Sequence, residues 1–446
     1  MKKQYLILCM VFFLIAFTFV AQAKSVKWVY QMTIDSTNGF VLQDNELPML
    51  ATLDSRGIVY YATYQNTAGA QDIHVYKMTN ILDPSRNATI VDTLSKASVW
   101  NQYYGLCCDT ADNVYMSYWC DSQFGTDTAI RKYDKDGNLV TTFGTGGSVR
   151  PPMISGIPFK THCLCYVPQT NKLLVAGATG ALAARVVGFD AATGNAIDTS
   201  NGKDAAVSAA RGIAYDVANN IIYTTNSGSD LYKWTGGTPS DLTGYTVTGT
   251  CSNYLGSYGV RAQLSFDTEF QQTFSSFWDT TTPERWFISV YNQDSGGGEV
   301  QRIVADTSMT YPFYGWAGTC VIGSGNNKRL IALDFGPKKI VVFAPELPQI
   351  APAGPITISL GANRDLTVSL GTEPYTWSIA TVSGSPGTLS GFSGNMITFL
   401  NSGVGSCIVR CTDTNGLYSE ITINVIPTSA PLFTEPVQST LSRIEE

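Results

Sequence analysis

The chain has 446 residues, of which 44% are hydrophobic and only 14% charged. Its net charge of −7 argues against nucleic acid or an anionic membrane surface as partner. Abundant Gly, Ser, Thr and Asn suit an all-β chain with many turns.

Residues 1–23 carry the three-part layout of a secretory signal peptide. Lys2 and Lys3 open it, Tyr5 to Val20 is an apolar run of 16 residues, and Ala21-Gln22-Ala23 offers a small-x-small cleavage site. The mature chain is expected to begin near Lys24, with 26 basic against 35 acidic residues and a net charge of −9. No other stretch is long and apolar enough to span a bilayer. The expected location is therefore secreted, periplasmic or cell-surface, with no transmembrane segment after cleavage. Nine cysteines remain. Export permits disulfides, and the odd count leaves at least one thiol outside any internal pair. With no C-x-x-C pair, and only His74 and His162 as imidazoles, no metal site is expected.

Residues 24–346 repeat one phrase: an apolar strand, an Asp or its substitute, a few turn residues, a second apolar strand. It appears at Met49–Tyr64, Tyr104–Trp119, His162–Gly177, Arg211–Thr225, Arg261–Phe277 and, more weakly, Ala317–Leu333. The spacing is about 54 residues, and each copy is followed by one or two more strand-like segments. Hydrophobic residues run mostly with period two, which predicts short strands rather than helices. Repeats of this length with four strands point to propeller blades. The last copy has only three strands, and Ser25–Asp35 is a lone strand before the first. Its simplest place is in the final blade, where it covers an open edge. The reading is a six-bladed β-propeller. Seven blades is the alternative, because Thr268–Asp306 is long and irregular.

The phrase G-I-A-x-D…N-x-I-Y, followed by turns such as YDKDGN and FDAATGN, resembles the NHL and YVTN-type repeat propellers of exported bacterial proteins. The resemblance covers roughly 320 residues. It implies a propeller scaffold and leaves function open, since such propellers serve as binding scaffolds and as lyases, lactonases and dehydrogenases.

Residues 347–355 hold three prolines and a glycine and read as a linker. Six short strand-like runs follow over 356–427, and the stretch Gly371–Ile379 resembles the small immunoglobulin-like domains of bacterial surface proteins. Trp377 is the expected core anchor. Alternation puts Cys407 and Cys411 on one inward face. Four residues of strand hold them about 13 Å apart, too far for a disulfide. Residues 428–446 are polar and proline-containing and are expected to extend without folding.

The D-x-D-G core at Tyr133–Leu139 has Lys132 and Phe143 where a calcium loop needs acids, so it reads as a turn. The repeated Asp54, Asp109, Asp216 and Asp267 read as turn caps spread around a ring. The expected ligand-binding residues crown the channel mouth, at or just before the start of each first strand. They are Glu46, Tyr104, His162, Arg211, Arg261 and Trp316. Such a set suits a sugar or an anionic small ligand. No catalytic set and no cofactor are expected.

The preferred function is a non-enzymatic, exported binding or cell-surface protein whose partner is a carbohydrate or another surface protein. The alternatives are a propeller enzyme (lactonase-like hydrolase, lyase or quinone-dependent dehydrogenase) and a structural subunit of an extracellular assembly.

Overall fold

A computed structural model of the chain describes residues 26–428, except 44–45, 66–70, 97–99, 123–124, 155–156, 180–182, 198–202, 205–209, 211, 226–230, 239–241, 252–263, 280–284, 294–297, 305–317 and 335–337. The chain divides into two compact units, Met1–Pro345 and Glu346–Glu446. Both are built from β-sheets, antiparallel apart from one parallel strand pair in the second unit. Among the described residues, helix is confined to the single 3-10 turns Leu242–Gly244 and Gly325–Asn327.

Among the described residues, the first unit holds six sheets. Sheet 1 opens with Glu46–Leu53, sheet 2 with Trp100–Cys108, sheet 4 with Gly212–Asp216 and sheet 5 with Leu264–Asp267. Each of these four continues by hairpins through three more strands. Sheet 3 is centred on Ile157–Val167 and gains a two-residue edge, Met153–Ile154. Sheet 6 runs Thr319–Ile322, Arg329–Asp334, Lys339–Pro345 and is completed by Trp28–Ile34 from the other end of the unit. Trp28 lies opposite Pro345 and Ile34 opposite Ile340, so the lone N-terminal strand fills the place that the three-stranded last copy left for it. Residues 268–306, which had suggested a further repeat, supply strands two to four of sheet 5.

Each sheet packs on the sheets before and after it. Leu50, Tyr60 and Val75 of sheet 1 meet Leu106, Met116 and Tyr133 of sheet 2. Tyr115 and Phe143 meet Phe159, Leu173 and Val187 of sheet 3. Leu174 and Val186 then meet Ile213, Tyr232 and Trp234 of sheet 4, while Tyr223 and Leu231 meet Leu264 and Tyr291 of sheet 5. Sheet 6 joins both ends of the series: Ile331, Ile340 and Val342 pack on Ala51, Val59 and Tyr61 of sheet 1, and Trp28 packs on Phe270 and Phe274 of sheet 5. Burial on both faces explains why second strands such as Ile221–Thr225 are buried throughout and show no polar alternation.

Neighbouring first strands also touch each other. A Cβ on Gly105 would lie 2.6 Å from Leu164 N in the next first strand, and one on Gly212 would lie 2.9 Å from Leu264 Cβ. Both glycines stand four residues before a repeat Asp, so in these two copies close approach of the next first strand requires glycine, whereas Leu50 stands at the same place before Asp54.

The second unit is two packed four-stranded sheets. One holds Gln349–Ala351, Arg364–Ser369, Met396–Asn401 and Gly387–Ser393. The other holds Ile356–Ser359, Tyr418–Ile426, Gly405–Thr412 and Thr376–Gly384, with Ile356–Ser359 parallel to Tyr418–Ile426. Two strands differ from the sequence reading. Gln349–Ala351 lies in the expected linker yet pairs with Arg364–Ser369, and the Gly- and Ser-rich Gly387–Ser393 carries little hydrophobic signal. The core is Leu366, Phe399, Val409, Ile423 and their neighbours. Trp377 is only partly buried against it, so it flanks the core rather than anchoring it. Cys407 and Cys411 are buried, inward-facing free thiols.

Candidate functional site

The repeat Asp residues close the first hairpin of their sheets in one way. Asp54 Oδ1 accepts from the backbone N–H groups of Arg56 and Ile58, and Asp109 Oδ1 from those of Ala111 and Asn113. Asp216 Oδ1 accepts from Ala218 and Asn219, and Asp267 Oδ1 from Glu269 and Phe270. A left-handed residue follows in each turn: Gly57, Asp112, Asn220 and Gln271. These are Asx turns, and the capping role expected from sequence holds. The Asp134 turn works likewise, with Asp136 and Asn138 donating backbone N–H groups to its Oδ1.

Capping is not their whole role. The first strands converge at the ends where these turns lie, and these ends line an open cavity of about 350 Å³. Five of the six first strands deliver their last residues to it: Leu53, Cys108, Tyr166, Phe266 with Asp267, and Val321 with Ile322. Asp54, Asp109, Asp112 and Asp267 line it together with Lys328. Three of the four repeat carboxylates line this one cavity, each from its own turn, as a spread around a ring places them. They remain too dispersed for coordination. Among the described residues, no three His, Cys, Asp or Glu side chains are grouped to hold a metal ion.

The second oxygen of each Asp distinguishes the turns. Asp54 Oδ2 accepts from Arg56 Nε at 2.8 Å and Nη2 at 2.5 Å. Asp109 Oδ2 accepts from Asn113 Nδ2 and from Tyr115 Oη. Burial and the adjoining Asp109 charge hold the Tyr115 phenol well above its usual range, so it stays a donor. Asp216 Oδ2 accepts from Asn219 Nδ2. Asp267 Oδ2 is buried and has no hydrogen-bond partner. Its turn carries no equivalent donor, since Gln271 Nε2 is spent on Thr268 O.

Lys328 supplies the local positive charge. Its side chain is 4% exposed and its Nζ lies 2.5 Å from Asp267 Oδ1 and 2.9 Å from Glu269 Oε2. It also sits 4.5 Å from the centre of the Phe270 ring. Arg56 is the other cation, bound to Asp54 and 3.7 Å from Asp112. On the cavity lining, Asp54, Asp109, Asp112 and Asp267 outnumber Lys328, which leaves the lining acidic.

The residues expected at the opposite mouth are placed differently. Glu46 is fully buried and committed. Its Oε1 accepts from Thr63 Oγ1 and pairs with His74 Nδ1, while Oε2 accepts from Tyr76 Oη and Gln43 N. It is a structural carboxylate, closed to a ligand, because His74 and Tyr76 on the third strand of its sheet reach its head group. His162 is buried and donates from Nδ1 to Ala210 O at 2.6 Å. Tyr104 lies in the Trp100–Cys108 strand, but its side chain falls outside the described residues, as do Arg211, Arg261 and Trp316 entirely. Of the expected residues whose side chains are described, neither Glu46 nor His162 lines the acidic cavity.

Sequence reasoning missed Asp112, Lys328 and the role of Asp267. The available signal was the departure of one turn from the rest, Asp267 without a following Asn or Arg; Lys328 carried none, since the copy with Pro168 in place of Asp holds a Lys as well. Compared with known proteins, the chain matches no family model and no curated protein.

Proposed function

We propose that the chain is an exported binding protein whose first unit is a six-bladed β-propeller of the NHL/YVTN type and whose second is an immunoglobulin-like sandwich. Its ligand site is the cavity at the ends of the first strands. The observation that carries this reading is the convergence of five strand ends on one cavity that combines carboxylates, Lys328 and the Tyr166 and Phe266 side chains. A concave site that combines fixed polar groups with apolar and aromatic surface is what small-ligand recognition needs. Rigid strands hold those groups in place, so little order has to be gained on binding. A non-enzymatic role is favoured because both histidines are buried and engaged, His74 with Glu46 and His162 with Ala210 O. Catalysis by general base would have to disrupt one of these arrangements.

The test is a ligand-observed NMR screen of the full mature chain against small sugars, cell-wall fragments and a fragment library balanced in charge. Each hit is repeated on Thr110→Trp. Thr110 is an exposed turn residue on the cavity lining, so the indole obstructs the cavity without entering the core. Hits that vanish with Thr110→Trp support the reading. Hits that all persist place recognition elsewhere and overturn it.

A further inference from the structure

We propose that Lys328 and Asp267 condense to an amide that joins sheets 5 and 6 covalently, with Glu269 carrying the protons. Asp267 ends the first strand of sheet 5, and Lys328 lies in the first turn of sheet 6, 61 residues further on. Lys328 Nζ is 2.5 Å from Asp267 Oδ1. Cγ lies one C–O bond beyond, about 1.2 Å, so the amine is no more than about 3.7 Å from that carbon. Reacting atoms about 3–3.5 Å apart are in near-attack range. Both side chains are buried, 4% and 2% exposed. The fully buried Phe270 ring lies against Nζ, its centre 4.5 Å away, and keeps water from the pair. Two charges held out of water are costly, and an amide carries neither.

The two oxygens of Asp267 are unequal in the way this reaction needs. Oδ1 accepts from the backbone N–H groups of Glu269 and Phe270, at 2.9 and 3.4 Å. These donors suit an oxygen that carries negative charge in the intermediate and remains as the amide carbonyl. Oδ2 is buried and accepts no hydrogen bond. Asp54, Asp109 and Asp216 pair their second oxygen within their own turns. An unpaired buried acceptor is costly in an ion pair, whereas in the amide that oxygen has gone. Glu269 Oε2 stands 2.9 Å from Nζ, and the Gly325 N–H donates to both oxygens of Glu269 at 3.1–3.2 Å and holds it there.

The reaction starts from the ammonium and the carboxylate. One proton passes from Nζ through Glu269 to Oδ2. The Nζ lone pair attacks Cγ, forming the C–N bond and placing the negative charge on Oδ1. Glu269 then takes a second proton from Nζ and delivers it to Oδ2. The Cγ–Oδ2 bond breaks, its electron pair leaves with the oxygen as water, and the Oδ1 charge collapses into the carbonyl. One ammonium and one carboxylate give one amide and one water, with no oxidant or co-reactant. The bond consumes one charge of each sign, so the net charge of the cavity lining is unchanged. It braces the junction that Trp28 also spans, in a unit whose described cysteines are free.

The test is the intact mass of the denatured mature chain, followed by tryptic mapping. The wild-type chain is expected to be lighter than its sequence by one water. It should also yield a branched peptide joining Asp267 to Lys328, because trypsin does not cut after an acylated lysine. Lys328→Arg keeps a cation beside Asp267 but presents no amine, and should show its full sequence mass and no branched peptide. Glu269→Ala is expected to slow formation of the bond by about tenfold or more. Wild-type chain at its full sequence mass, or a lost water that maps to any other residues, overturns the proposal. So does a bond that forms as fast in Glu269→Ala. Should either variant fail to fold, the wild-type mass and the branched peptide still decide.

Discussion

Removing the indole of Trp28 tests how the two ends of the first unit are joined. Trp28 belongs to sheet 6 by backbone pairing but spends its side chain on sheet 5. Its Nε1 donates to Gln272 Oε1 at 3.0 Å, and its ring stands edge-on to Phe274 at 5.3 Å. The residue is 2% exposed and Gln272 is fully buried. Truncating a buried Trp to Ala costs about 3–5 kcal/mol. Leaving the Gln272 oxygen unpaired adds about 1–3 kcal/mol. The two effects share a site and are not independent, so a combined loss of about 4–6 kcal/mol is expected for Trp28→Ala. Trp28→Phe keeps most of the packing and loses the donor, for about 1–3 kcal/mol. Tyr30, exposed on the same strand, is the control, with about 0.5 kcal/mol or less for Tyr30→Ala. Urea unfolding of the mature chain followed by circular dichroism measures all three. A loss below about 1 kcal/mol for Trp28→Ala would refute the N-terminal strand as the closing element.

Three further outcomes are expected. Lys328→Met leaves the Asp267 carboxylate buried without its cation and should cost about 3–5 kcal/mol in urea, with partial recovery in the double variant carrying Asp267→Asn; a neutral effect would mean that the pair is not coupled. Gly105→Ala drives a methyl against Leu164 N and Ser117 Oγ and should cost about 1–3 kcal/mol by the same assay, while wild-type stability would show that adjacent first strands can separate freely. Burial raises the thiols of Cys107, Cys108, Cys165 and Cys320, which pack against the inter-sheet cores. Below the ordinary thiol value of about 8.5 both states are neutral there and the stabilisation is complete. As pH rises past it the unfolded thiols ionise and the folded ones do not, so stability should fall; urea midpoints that hold constant between pH 8 and 10 would contradict the burial.

Much of the scaffold was legible from the sequence because repetition averages out local ambiguity. The Asp-plus-turn phrase located the first hairpins, and a three-stranded last copy demanded the stray Ser25–Asp35 segment. Spacing alone kept Cys407 and Cys411 apart. The site was far less legible. Each repeat Asp satisfies a local turn rule, and nothing local records that strand ends from five sheets meet around one cavity. Lys328 lies 61 residues from Asp267 in the weakest copy, where no pattern marks it. Glu46 misled for a related reason. Its place at the start of a first strand suggested an open mouth, but the buried His74 and Tyr76 that claim it sit on a different strand of its sheet. The short Gln349–Ala351 and Gly-rich Gly387–Ser393 strands are held by partners more than by their own side chains, which is why composition hid them.

The most direct measurement is a crystal structure of the mature chain with the tightest binder from the charge-balanced screen. The ligand is expected in the cavity at the ends of the first strands, against the side chains that line it. A ligand seated at the opposite mouth near His162, or on the second unit, would contradict the cavity as the binding site.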